Sequence, residues 1–253
     1  MRKQTIVKQI STIFLFVTVA LVGQQGPKID IQIIAPISVG ETQVYPLGWS
    51  RQGHFAYLEA YDIGGLCGFC PRYNIVITSA VTDEVLATAE FDGSIMADGD
   101  ERWSTPSELY ERERNSVESL LGEYAIEPPH PKEPLEYGSV PFTGGGREYT
   151  VVVDVKTVSR QWQPFEGQVE KEIQAVVGAE MRLSATGLGQ KIAFSERPDP
   201  DSYAAVIGYD VHAYVASQFE PRVVLLVERR RMGAESERGS VLTVGVHLTF
   251  GYK

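Results

Sequence analysis

Apolar and polar side chains alternate through Ile29-Asp30-Ile31-Gln32-Ile33, the two-residue period of a strand that buries one face. Aromatic and β-branched residues at 45–50 and 54–59 flank the turn Arg51-Gln52-Gly53, which predicts a hairpin. Further strands are expected at 73–78, 85–91, 173–177, 181–185 and 191–194, the last two joined by Gly187-Leu188-Gly189. After the turn Gly144-Gly145-Gly146, the clearest alternation places Tyr149, Val151, Val153 and Val155 on one face, with Thr150, Asp154 and Lys156 on the other; Val152 is out of phase. The run Val223-Val224-Leu225-Leu226-Val227 does not alternate at all, as expected of a central strand covered on both faces. Leu242, Val244, Val246, Leu248 and Phe250 then alternate with Thr243, Gly245, His247 and Thr249, predicting a closing strand with one polar face.

One segment has a different period. Thr105-Pro106-Ser107-Glu108 sets a capping Thr three residues before Glu, with Pro at the first helical position, where its missing N–H costs nothing. Val117, Leu120, Leu121 and Tyr124 follow at helical spacing, so an amphipathic helix is expected to lie against a sheet. It must end before Pro128-Pro129-His130-Pro131, and the proline-rich stretch 127–137 reads as an extended connector between two lobes of one domain spanning 24–253. The pattern gives roughly ten strands and one helix. The fold class is α+β, mainly antiparallel sheet with one amphipathic helix; a partial β-propeller or a β-sandwich is the alternative.

The first 23 residues stand apart. Arg2, Lys3 and Lys8 precede an uncharged apolar run at 10–22, and small Gly23 is followed by polar Gln24. That is the layout of a secretory signal peptide, and the run is shorter than the ~20 residues a membrane helix needs. Cleavage would leave no stable membrane span. It would also remove three of the 23 Lys and Arg and none of the 33 Asp and Glu, moving the formal charge from −10 to −13. So acidic a body repels nucleic acid and anionic lipid and suits a cationic partner. At 43% hydrophobic and 22% charged, the composition is that of an ordinary globular protein.

Trp49-Ser50-Arg51-Gln52-Gly53-His54-Phe55-Ala56 resembles the turn and apolar strand of a bacterial β-propeller blade. With Thr82-Asp83, a helix ending near Tyr124, a strand led by Tyr149, and Pro221-Arg222 before an apolar strand, the order of features is similar to a family of predicted secreted bacterial proteins of unknown function. The resemblance implies export and a β-rich fold. It carries no catalytic residue with it.

Several places bear chemistry. Cys67-Gly68-Phe69-Cys70 lies in a Gly-rich loop followed by a strand, so the helix N-terminus that activates a thioredoxin-type thiol is missing. In an oxidising compartment, Cys67 and Cys70 are expected to form a small disulfide. A zinc site would need two more ligands, and His54, His130, His212 and His247 are scattered. Gly48-Trp49-Ser50-Arg51-Gln52-Gly53 nearly spells a nucleophile elbow, with the second glycine one residue late and a hairpin where a strand-to-helix turn is required. Asp62, Asp98, Asp100 and Asp154 are cleft carboxylate candidates, and 92–100 is an oxygen-rich loop whose spacing departs from a calcium loop. Arg229-Arg230-Arg231 with Glu235, Glu237 and Arg238 reads as a charged hairpin tip, and Trp49, Trp103 and Trp162 as packing residues.

The expectation is therefore an exported, periplasmic or extracellular protein acting without catalysis as a structural or interaction module of the cell envelope, with no cofactor and an unidentified envelope or extracellular partner. A hydrolase using carboxylates or a metal, and a small outer-membrane barrel suggested by the closing strand, are the alternatives.

Overall fold

The apolar run that begins at Val223 lies where two sheets sandwich a third. A computed structural model describes residues 35–62, 71–97, 100–130, 132–163, 170–202, 204–233 and 237–253. In chain order the elements are β1 (Ile37–Val39), β2 (Thr42–Trp49), β3 (His54–Asp62), β4 (Pro71–Ser79), β5 (Val85–Asp92), β6 (Ser94–Ala97), β7 (Asp100–Trp103), α1 (Pro106–Glu123), β8 (Tyr137–Gly138) and β9 (Phe142–Gly144). They continue with β10 (Arg147–Trp162), β11 (Lys171–Ala185), β12 (Gly189–Glu196), β13 (Val206–Ala216), β14 (Arg222–Met232) and β15 (Glu237–His247). Sheet I has the order β1-β2-β3-β4-β5, sheet II β15-β14-β13-β8, and sheet III β12-β11-β10-β9; β6 and β7 form a separate hairpin. Every pairing is antiparallel, and none of the three larger sheets closes into a barrel. The fold is thus α+β and β-rich, with layers in the sequence helix, sheet I, sheet II, sheet III and no radial arrangement of blades.

Side-chain alternation builds the stack. On β3, Ala56, Leu58 and Ala60 face Leu109, Tyr110, Val117 and Leu121 of the helix, while Phe55 and Tyr57 face sheet II. On β14, Val224 and Leu226 join the sheet I cluster, and Val223, Leu225 and Val227 join the sheet III cluster. All five are at most 1% exposed, which accounts for a run with no polar phase.

The helix begins as its sequence dictates. The Glu108 N–H donates to Thr105 Oγ1 at 3.2 Å, and the Thr105 N–H donates back to Glu108 Oε2 at 2.9 Å, a complete capping box. Leu109 and Tyr110 join its buried stripe, whereas Leu120 and Tyr124 are only half-buried.

Several expectations need correction. The strands expected at 173–177 and 181–185 are one strand, β11, because a bulge opposite Lys156/Thr157 absorbs the break in phase near Gly178. Arg229-Arg230-Arg231 is not a hairpin tip: β14 continues to Met232, since Arg229 pairs with Glu196 at 2.9 Å and Arg230 with Asp210 at 2.8 Å. Residues 94–97, expected in a loop, belong to the β6–β7 hairpin. The closing strand stops at His247; Leu248 turns into the core, and Lys253 exchanges backbone hydrogen bonds with Gln190 at 3.0 and 3.3 Å. Among the described residues there are fifteen strands rather than about ten, and β13 had no strand expected at its position.

Candidate functional site

Most sequence candidates are absorbed by the framework. Ser50 is 1% exposed, and its Oγ accepts the Gln52 and His54 N–H groups at 3.2 and 3.0 Å, so the elbow-like motif is a closed hairpin turn. His54 meets Tyr124 edge-on at 6.1 Å, His130 Nδ1 accepts the Lys132 N–H at 3.2 Å, His212 Nε2 lies 3.0 Å from Glu228 Oε2, and His247 Nδ1 lies 3.2 Å from Thr249 Oγ1. Among the described residues no three His, Cys, Asp or Glu converge on a metal position. Asp62, Asp100 and Asp154 fall in three different sheets. Trp49 and Trp162 are core residues and Trp103 is half-buried. Cys67, Cys70, Asp98 and Glu235 lie outside the described residues. So does the expected strand 29–33.

One end of the stack gathers ionisable groups. Arg222 donates to Glu220 Oε1 at 2.7 Å and to the Ala80 carbonyl at 2.8 Å, while Asp83 Oδ1 accepts the Gly245 N–H at 2.6 Å. Burial raises the Asp83 carboxyl above its ordinary range, against the opposing pull of that N–H and of Arg222. Lys191 Nζ donates to the His247 and Phe250 carbonyls and sits 4.7 Å from the Tyr252 ring centre; burial, and secondarily Arg222, lowers its ammonium to about 8. These bonds fasten sheet I to sheet II and the last residues to sheet III. They are structural clamps, with partners already filled.

A cleft of about 340 Å³ lies beside β9, lined by Gly138, Ser139, Pro141, Phe142, Thr143, Glu148 and Tyr214. Phe142 fills its floor by stacking on Tyr149 at 5.1 Å and on Tyr214 at 4.2 Å, and the Tyr214 hydroxyl donates to Glu136 at 3.2 Å. The aromatic rings spend their faces on one another.

Sheet III is different, because its surface is unfinished. β9 pairs with β10 only at Arg147, Glu148 and Tyr149, so among the described residues no strand pairs with that edge of β10 over 150–161. Val152, Val155 and Val158 on this strand are 48%, 45% and 42% exposed, and Ile192 on β12 is 60% exposed. Val152, Arg182 and Ile192 form one cross-strand row on the outer face. Beside it, Arg182 bonds Asp154 at 2.7 Å and also Glu180. Val152, out of phase in the sequence, is the signal that this row exists.

Comparison with protein-family models, characterised proteins and solved structures gives no significant match. The surface has to be read from its own chemistry. It offers backbone donors and acceptors without a strand partner along an extended edge, flanked by β-branched apolar side chains and a few charges of both signs. That combination binds extended backbone.

Proposed function

We propose that this chain is an exported interaction module of the cell envelope, working by contact rather than catalysis, with sheet III as its contact surface. The leader-like start supports export. One observation carries the rest. Of the seven large apolar side chains exposed among the described residues, four lie on sheet III, and three of those are on the strand whose edge is unpaired. A solvated sheet edge is ordinarily shortened, bulged away or made strongly charged, because it otherwise recruits another strand. β10 keeps a long valine-rich edge, which is the form expected of a strand that has a partner.

The test is site-specific photo-cross-linking in the producing host, with the probe at Val152 and, as a control, at exposed Val81 in the β4–β5 turn. The reading expects covalent adducts from Val152 in the exported fraction and few from Val81. Chain retaining Met1 in the cytosolic pool would overturn export, and equal adduct yields at the two positions would overturn the assignment of sheet III.

A further inference from the structure

An unpaired strand of this kind takes a partner that matches its side chains as well as its backbone, and β10 matches itself. Its free stretch reads Thr150-Val151-Val152-Val153-Asp154-Val155-Lys156-Thr157-Val158-Ser159-Arg160. An antiparallel copy placed with Val155 opposite Val155 sets Asp154 against Lys156, Val152 against Val158, Val153 against Thr157 and Thr150 against Arg160. Oppositely charged and β-branched residues placed directly opposite each other are the favourable cross-strand pairs. The paired stretch runs from 150 to 160 and stops where β9 already covers Tyr149. Asp154 and Lys156 are both exposed. Asp154 is bonded by Arg182 at 2.7 Å, while no ion pair of Lys156 is found among the described residues.

A neighbouring register would centre on Thr157 and set Asp154 against Arg160. Arg160, however, is committed to the carbonyls of Pro200 and Ser202 and lies 3.9 Å from Asp201. Centring on Lys156 would oppose two lysines. The side chains therefore select Val155 as the two-fold centre.

We infer that β10 pairs with β10 of a second copy of this chain across a two-fold axis at Val155, joining two copies of sheet III into one continuous sheet. The inference rests on the reading of sheet III as the contact surface and names its partner. It makes the interface isologous: each copy contributes the same patch, and the Asp154–Lys156 contact is made twice. Dimerisation would then give Val152, Val155 and Val158, the exposed valines of that strand, cross-strand neighbours at one step.

Charge-swapped chains test the register. Lys156→Asp alone sets Asp154 against an aspartate, and Asp154→Lys alone sets two lysines together. A mixture of the two chains restores both oppositely charged contacts. Light scattering is expected to give twice the chain mass for the unsubstituted protein at high concentration, the single mass for each variant by itself, and the doubled mass for the mixture. Because Asp154→Lys also loses its bond to Arg182, cooperative unfolding of each variant is recorded alongside. A second measurement does not depend on charge. Val155→Cys should oxidise to a dimer whose cross-link maps to position 155 in both chains, since directly opposed residues in an antiparallel pair sit about 4.5–5.5 Å apart at Cα, within disulfide reach.

A single mass for the unsubstituted chain at all concentrations would overturn the second-copy assignment. A dimer indifferent to both swaps, or self-cross-linking through Thr157→Cys in place of Val155→Cys, would overturn the pairing centred on Val155. If adducts from Val152 in the host contain a different polypeptide while the purified chain is monomeric, the contact surface stands and its self-pairing falls.

Discussion

Asp83 Oδ1 accepts the Gly245 N–H at 2.6 Å, a bond between residues 162 positions apart that ties the β4–β5 turn of sheet I to β15 of sheet II. Asp83 holds φ 61°, a left-handed conformation that Asp and Asn tolerate better than most residues. Asp83→Ala is expected to cost about 1–3 kcal/mol by leaving the Gly245 donor unsatisfied, whereas Asp83→Asn keeps an acceptor in place. Burial raises the folded-state pKa of Asp83, so the folded chain binds that proton more tightly than the unfolded one. Its contribution to stability therefore falls as pH rises from the ordinary carboxylate range, about 3.9, through the raised value. Glu59, raised by burial against its bond from Asn74, acts in the same direction. Urea midpoints of the unsubstituted chain and of Asp83→Asn, measured across this window, should show a shallower decline in the variant.

The same junction leaves no room for a side chain at position 245. A Cβ there would lie 1.9 Å from the Ala80 carbonyl oxygen. Gly245→Ala must move the backbone of one sheet from the other, at an expected cost of about 1–3 kcal/mol. Chemical denaturation reads this directly. A variant with unchanged stability would mean that sheets I and II do not approach as described.

Leu225 and Leu226 are adjacent, and both are fully buried on opposite faces of β14. Truncating either to alanine should cost about 2–5 kcal/mol. In a sheet covered on one side only, one of the two would be nearly free. Comparable losses from the two substitutions are the expected outcome.

Lys191 has its ammonium lowered to about 8, chiefly by burial, against an ordinary value of 10.5. Between those limits the unfolded chain binds more protons than the folded one, so this residue makes stability rise with pH. The stability difference between the unsubstituted chain and Lys191→Met should therefore move toward the unsubstituted chain as pH rises from 8 to 10. Tyrosines raised by burial and remote from Lys191, such as Tyr73 at about 12, titrate in both proteins and cancel in the comparison.

What could be read from the chain follows from where its local and global preferences agree. The helix was legible because cap, proline and apolar stripe all point the same way. β14 was legible because burial on two faces removes every polar phase. β13 escaped notice because bulges after Val206 and Val211 interrupt its alternation. Arg229, Arg230 and Arg231 misled because charge clusters ordinarily mark turns, and their partners Glu196 and Asp210 are remote in sequence. The open edge of β10 was not readable at all, since alternation reports which face is buried and not which strands lack a neighbour. The out-of-phase Val152 marked the exposed outer row and not the edge.

Self-pairing of β10 requires its free edge to be buried when two copies meet. Hydrogen exchange of the purified chain at increasing concentration addresses it directly. Slow amides are expected to appear with concentration within 150–160, with the edges of β5 and β12 unchanged. Exchange in 150–160 that is independent of concentration, or new protection confined to β5 or β12, would contradict it.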